Sequence, residues 1–216
     1  VSLMKKEGKE VLFDAEHFFD GYKCNPEYAL RVLEAAAEAG ADVLVLCETN
    51  GGCLPEEIYD ITGIVCRQFA GMEVGIHTHN DADCANANTL AAVRAGARHV
   101  QGTVNGLGER TGNANLCTIL PNLSLKMGLK TVGSAKLEGL TELSRFVFEI
   151  ANLAPDVHMP YVGESAFAHK AGLHIDAIRK NRRTYEHIDP RQVGNERRFL
   201  LSELSGASNI LDKLEQ

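Results

Sequence analysis

Two histidines spaced to bind one cation stand in the middle of this chain, in His77-Thr78-His79-Asn80-Asp81. On a strand, residues i and i+2 point to the same face, so His77 and His79 can offer both imidazoles to a single ion. The five residues before them, Met72-Glu73-Val74-Gly75-Ile76, are short and apolar enough for a buried parallel strand. A second segment, Gly106-Leu107-Gly108-Glu109-Arg110-Thr111-Gly112-Asn113-Ala114, places an acid, a guanidinium and an amide in one glycine-rich turn. It follows another apolar run, Val100 to Val104. A lone pair of histidines says little. The pair plus this turn reads as one metal site built from two neighbouring strand ends.

The elements that must position these groups follow from the pattern around them. Ser2 to Gly8 reads as a helix without a cap, and Glu10 to Glu16 as a strand ending in acids. Asn25-Pro26-Glu27 opens a helix with a cap residue and a proline in the first turn, and Ala39-Gly40 closes it. Asp42 to Cys47, Val74 to His77 and Val100 to Val104 read as further strands. Leu54 to Phe69, Asp83 to Ala95 and Asn113 to Met127 read as the helices between and after them. The junction Glu38-Ala39-Gly40-Ala41-Asp42-Val43 recurs nearly unchanged as Arg94-Ala95-Gly96-Ala97-Arg98-His99-Val100. Repeated strand–helix units of this kind make a parallel sheet.

Glu16, Glu48, Thr49, His77, His79 and Glu109 to Asn113 all fall just after a strand. That is where a (β/α)8 barrel carries its active site, although an open doubly wound sheet places ligands there too. A whole barrel needs about 250 residues. Four units therefore predict an α/β fold comprising the C-terminal half of a (β/α)8 TIM barrel over residues 1–129. Beyond Gly128 the pattern changes, and 130–216 is expected to form a mainly helical linker subdomain. Its helices are expected over Lys136 to Ala151, Ala171 to Lys180 and, near the end, Ser208 to Leu214.

Bulk properties narrow the classes. A chain of 216 residues, 44% hydrophobic and 24% charged, suits an ordinary globular protein. A net charge of -7 argues against nucleic-acid binding. No apolar run reaches the roughly 18 residues of a membrane span, and no signal peptide is visible. The six cysteines (24, 47, 53, 66, 84 and 117) are scattered, and Cys47, Cys66 and Cys117 sit in apolar patterns expected of buried thiols. A reduced, cytoplasmic setting is expected.

The chain resembles the acyl-CoA-dependent, metal-dependent Claisen-condensing barrels: the 2-isopropylmalate, homocitrate and citramalate synthases. The resemblance rests on Phe13 to Lys23 (FDAEHFFDGYK), Cys47 to Gly52 (CETNGG), His77 to Asp81 and the Gly-Glu-Arg-Thr-Gly-Asn turn. It continues through Ala166 to His174, Thr184 to Pro190 and Ser202 to Gly206, nearly the whole chain. Within the family, AEHFFDGYK and NGG look most like the citramalate synthase branch. The resemblance implies an acyltransferase of branched-chain amino-acid (isoleucine-type) biosynthesis. It would join acetyl-CoA, as co-substrate, to a pyruvate-like 2-oxo acid and then hydrolyse the thioester. It further implies a divalent cation (Mg, Mn or Zn) and a homodimer. His77, His79 and Asn113 are the expected metal ligands.

Thr49 is a candidate for the 2-oxo acid carboxylate, with a capping role as its rival. Glu109 would touch substrate or support the metal, and Arg110 likewise, with an ion pair that pins the loop as the other reading. Glu16 would contact the acetyl group or move a proton, or else act as a fixed structural carboxylate. His174, oriented by Asp176, and Tyr185 match the family's base and its partner, which a neighbouring subunit contributes. The cluster Arg179, Lys180, Arg182 and Arg183 reads as a solvated face or as a contact for CoA phosphates.

Two departures stand out. The family's first-strand motif, with a metal-binding Asp and a carbonyl-polarising Arg, is not in this chain, so residues 1–216 alone are expected to be inactive. Glu48-Thr49 stands where the family has Asp-Thr. Rival readings are a 2-isopropylmalate synthase, a lyase of the wider metal-barrel group, and a non-catalytic dimerisation module.

Overall fold

The computed structural model describes residues 1–200, so the expected helix near Ser208 and the Ser202–Gly206 motif lie outside the described residues. The chain divides into two compact units, Val1–Ile119 and Leu120–Gln216, and passes from one to the other inside a helix. That division precedes the 129–130 boundary suggested by the end of the strand–helix pattern.

The first unit holds a four-stranded parallel sheet in the order β1 (Leu12–Ala15), β2 (Val43–Glu48), β3 (Glu73–Thr78), β4 (His99–Gln101). Helices α1 (Ser2–Lys6), α2 (Phe18–Cys24), α3 (Pro26–Glu38), α4 (Pro55–Gln68) and α5 (Ala85–Ala95) accompany it. The side chain of Asn25 caps α3 by accepting from Tyr28 N at 3.1 Å, with Pro26 in the first turn, as the sequence predicts. All six residues of β2 are buried, which explains its unbroken Val-Leu-Val-Leu-Cys run.

Alternation then divides the strands into two faces. Ala15, Leu44, Leu46, Val74 and Ile76 pack with Leu33, Ile58 and Val65 of the helices in the main core. Val43, Val45 and Cys47 form a separate small cluster on the opposite face. Strand register puts Cys47 beside His77 and His77 beside Gln101 on that second face.

Several elements differ from expectation. Helix α2 is absent from the sequence reading; His17 turns the chain through the left-handed region (φ 57) and Phe18 and Phe19 drive the helix into the core. β4 is shorter than Val100–Val104, because the chain leaves the sheet and turns at Asn105, also left-handed (φ 64). α5 starts at Ala85, since Asp83 is left-handed (φ 56). The next helix, α6 (Leu116–Pro121), starts later than Asn113 because Asn113 is held in a bridge to His79; a π-helical turn, Asn122–Lys126, follows it.

In the second unit, the single helix expected over Lys136 to Ala151 is two, α7 (Ser134–Glu138) and α8 (Leu140–Ile150), broken at Gly139. Helix α9 (Gly172–Lys180) matches its prediction. A short parallel pair, β5 (Ala168–His169) with β6 (Arg198–Phe199), went unforeseen, being two residues per strand and distant in sequence.

Candidate metal centre and its supporting turn

The face of the sheet opposite the main core gathers the chemistry. By i, i+2 spacing, Asp14, Glu16, Cys47, Thr49, His77, His79 and Gln101 belong to it. Thr78, between the two histidines, points the other way and ties the strand to α5: its hydroxyl donates to Ala85 O at 3.0 Å and lies 2.9 Å from Thr89 Oγ1. His79 N donates to Glu48 O, and Ala114 N to Thr78 O. The His77 and His79 rings therefore stand side by side, with centroids 5.2 Å apart.

His77 Nδ1 meets Gln101 Oε1 at 2.9 Å, and Gln101 Nε2 donates to Asp14 Oδ1 at 2.9 Å. On a flat sheet β1 and β4 would lie about 14 Å apart. A direct bond between their side chains therefore requires strong curvature toward this face, as in a barrel wall. Neither Gln101 nor Asp14 was singled out from the sequence. The i, i+2 relation of Gln101 to His99 and Thr103 was the available signal.

The Gly106–Ala114 turn folds back so that Asn113 bridges to His79. Asn113 Nδ2 donates to Leu107 O at 3.3 Å, and its Oδ1 is buried without a hydrogen-bond partner. Two glycines are required here. A Cβ on Gly108 would overlap the Asn113 amide, and one on Gly112 (φ 98) would overlap the Gly106 carbonyl.

Arg110, itself left-handed (φ 52), grips Asp81 with two bonds, Nε to Oδ1 at 2.7 Å and Nη2 to Oδ2 at 2.8 Å. A third goes from Nη2 to Thr49 O at 2.7 Å. One guanidinium thus pins the loops after β2, β3 and β4 together, the ion-pair reading of Arg110. The hydrogen bonds to Arg110 hold the Asp81 carboxyl below its usual range. Glu109 is exposed and adds negative charge beside Arg110.

Thr49 Oγ1 donates to Glu16 Oε2 at 2.8 Å and accepts from His17 N at 2.8 Å. Its only hydroxyl proton is therefore committed to Glu16. Glu48, by contrast, lies on the helix-facing side, so the extra methylene relative to Asp does not enter the strand face that bears the histidines. Its Oε1 accepts from Gly52 N and Cys53 N at 3.0 and 3.3 Å, which fixes the Asn-Gly-Gly loop. Burial pushes the Glu48 carboxyl up, against the two backbone bonds. Burial, aided by Asp14 and Glu16, pushes the Cys47 thiol up to about 12, so it stays protonated beside His77.

A divalent cation fits these donors. His77, bonded through Nδ1, has Nε2 left to offer; His79 Nδ1 and Asn113 Oδ1 are buried and unpartnered. Desolvation first, then His77 and Arg110, push His79 below the usual histidine value, which favours the neutral ring a metal needs. Among the described residues no cluster of three or more His, Cys, Asp or Glu gathers, so a cation held here would need the unpartnered amide oxygen of Asn113 as its third donor. A mixed nitrogen–oxygen set does not discriminate sharply among Mg, Mn and Zn.

In the second unit, His174 on α9 stacks on Tyr185, with centroids 4.1 Å apart and planes 27° apart. Tyr185 is half exposed, so the pair stands at the surface of the unit. The expected pairing of His174 with Asp176 is corrected. Two positions apart on a helix, their side chains diverge by about 200°, and Asp176 instead binds Lys180 Nζ at 2.8 Å, one turn away. Arg182 and Arg183 line a cleft of about 700 Å³ with Lys126 and Gln192. Glu186, buried, takes both arms of Arg197 at 2.5 Å and stands 3.5 Å from His169 Nε2.

Among known proteins, the chain is 59% identical over 216 residues to an (R)-citramalate synthase of Aquifex aeolicus, covering all of this chain and 41% of that protein. It is 54% identical to an (R)-citramalate synthase of Sulfolobus acidocaldarius at the same coverage, and 37% to that organism's 2-isopropylmalate synthase, covering 55% of the latter. The chain spans about two fifths of the length of the curated citramalate synthases it matches.

Among solved structures, an HMG-CoA lyase of Bacillus subtilis superposes with a TM-score of 0.53 at 26% identity, over 59% of this chain and 44% of that one. A homocitrate synthase post-HMGL domain-like model matches residues 161–216. With the HMGL-like model matching residues 1–147 and the parallel βα units superposing on the lyase barrel, the chain belongs to the HMGL-like family of TIM-barrel proteins.

Proposed function

We propose that the protein carrying this chain condenses acetyl-CoA with pyruvate to give (R)-citramalate and CoA, in branched-chain amino-acid biosynthesis. The observation that carries the site reading is the orphaned Asn113 Oδ1 beside the paired imidazoles of His77 and His79. The choice of substrates is supported by (R)-citramalate synthases 52–59% identical across nearly the whole chain.

In this reading His77, His79 and Asn113 hold a divalent cation. When bound, it supplies Lewis acidity to the carbonyl and carboxylate oxygens of the 2-oxo acid. Arg110 keeps the three loops at fixed spacing, so that substrate meets a preorganised surface. Thr49 hydrogen-bonds the substrate carboxylate when it releases Glu16, and Glu16 faces the acetyl group. Glu109 adjusts the charge beside Arg110.

His174, stacked on Tyr185, takes the acetyl methyl proton in the site of a second copy of the chain, within a homodimer. The new carbon–carbon bond then forms, the former ketone oxygen receives a proton, and water cleaves the thioester to a carboxylate and the CoA thiol. Asp176, bound to Lys180, has no part in orienting the base.

Thiol release, followed with pyruvate, 2-oxoisovalerate and 2-oxoglutarate on the full-length protein with Mg or Mn, tests the proposal. Turnover fastest with pyruvate is expected. A preference for 2-oxoisovalerate would move the assignment to 2-isopropylmalate formation, and no turnover with any of the three would overturn it.

A further inference from the structure

A histidine offers a metal only the ring nitrogen that lacks the proton, and the partner of its other nitrogen decides which that is. For His77 the partner is the Gln101 side chain, at 2.9 Å from Nδ1. An amide end is ambiguous in this role. Its oxygen toward His77 demands Nδ1–H and frees the Nε2 lone pair; its NH2 toward His77 demands the opposite tautomer and blocks Nε2 with a proton.

Asp14 removes the ambiguity. An ionised carboxylate can only accept, so the bond at 2.9 Å to Asp14 Oδ1 draws the NH2 of Gln101 away from His77 and turns the oxygen toward it. The three residues come from β3, β4 and β1, and each is placed by strand alternation rather than by a loop.

We infer that Gln101, locked by Asp14, is a positioning residue that sets the tautomer of His77 and so makes Nε2 its metal-binding atom. The inference rests on the cation site proposed above. A plain structural alternative is that the Asp14–Gln101 bond merely staples β1 to β4.

Mn2+ affinity, read from the EPR signal of free Mn2+ during titration of the full-length protein, separates the two. Gln101→Leu is expected to weaken Mn2+ binding by roughly 10–100-fold, the usual cost of losing an outer hydrogen bond to a ligating histidine. Asp14→Leu, which leaves the amide free to turn either way, is expected to weaken it by about tenfold. The double variant Gln101→Glu with Asp14→Asn reverses donor and acceptor between the two positions. Its carboxylate still accepts from His77 Nδ1–H and from the new amide, so affinity is expected to return near the wild-type value.

Unchanged affinity in Gln101→Leu, with only a lower melting temperature, would establish the staple and overturn the inference. Should Gln101→Leu fail to fold, the other two variants decide together: a weak Asp14→Leu with a tight double variant supports the inference, while an unchanged Asp14→Leu or a folded, weak double variant overturns it. His77→Ala is the control. If the wild type binds Mn2+ no better than His77→Ala, the cation site itself is wrong; if only Gln101→Leu is silent, the site stands and the positioning role falls.

Discussion

The two carboxylate oxygens of Glu48 have opposite fates: Oε1 accepts two backbone bonds, while Oε2 is buried without a partner. Desolvation raises its folded-state pKa above the unfolded value of about 4.3. A raised acid holds its proton more tightly when folded. Its contribution is therefore complete below the unfolded pKa and is lost as pH climbs through the folded one. Urea unfolding at pH 5 and pH 8 should show wild type losing stability relative to Glu48→Gln over that interval; parallel behaviour of the two would refute the argument. Glu48→Ala should cost about 1–3 kcal/mol at either pH, because the buried Cys53 N–H loses its acceptor. Arg110→Ala removes the bonds to Asp81 and Thr49 O. It should leave the circular dichroism unchanged yet lower kcat/KM by roughly 100-fold, as displaced loops do.

At the scale of elements, the glycines of the turn are the most exacting positions. Gly108→Ala presses a methyl onto the Asn113 amide. It should weaken Mn2+ binding markedly with little change in melting temperature, since Gly108 itself is exposed; a wild-type titration curve would count against the role given to Asn113. The same scale shows what the sequence could and could not convey. Buried parallel strands such as β2 and β3 were legible because both their faces are apolar or chemical over six residues. The left-handed residues His17, Asp83 and Asn105 were not, because a single positive φ leaves no periodic trace; they opened the unforeseen α2 and moved the start of α5 and the end of β4. Within the site, types and spacing exposed His77, His79 and the turn. The Asp14–Gln101–His77 chain depends on sheet curvature and register, which no local pattern records, and the Asp176 pairing failed because helical spacing outweighs nearness in sequence.

For the molecule as a whole, β1 and β4 are the outer strands of the sheet among the described residues, and such edges invite pairing. Residues 1–216 produced alone should associate with rising concentration in light scattering and show no thiol release, whereas turnover is expected of the full-length protein under the proposed function. A monodisperse, active 1–216 would refute this. Assignment of the sheet to a barrel fold was legible from four repeated units, and so was α9 of the second unit, whereas the contacts that hold that unit, such as Glu186 with Arg197, were not. The Asp14–Gln101 bond joins residues 87 positions apart, and it has a consequence in time. At about 5–20 residues per second, Gln101 is synthesised roughly 4–17 seconds after Asp14. Both histidines leave the ribosome before the residue that orients one of them. On the proposed reading a nascent chain therefore carries an uncommitted His77, and binding of the cation would belong to the finished sheet rather than to the growing one.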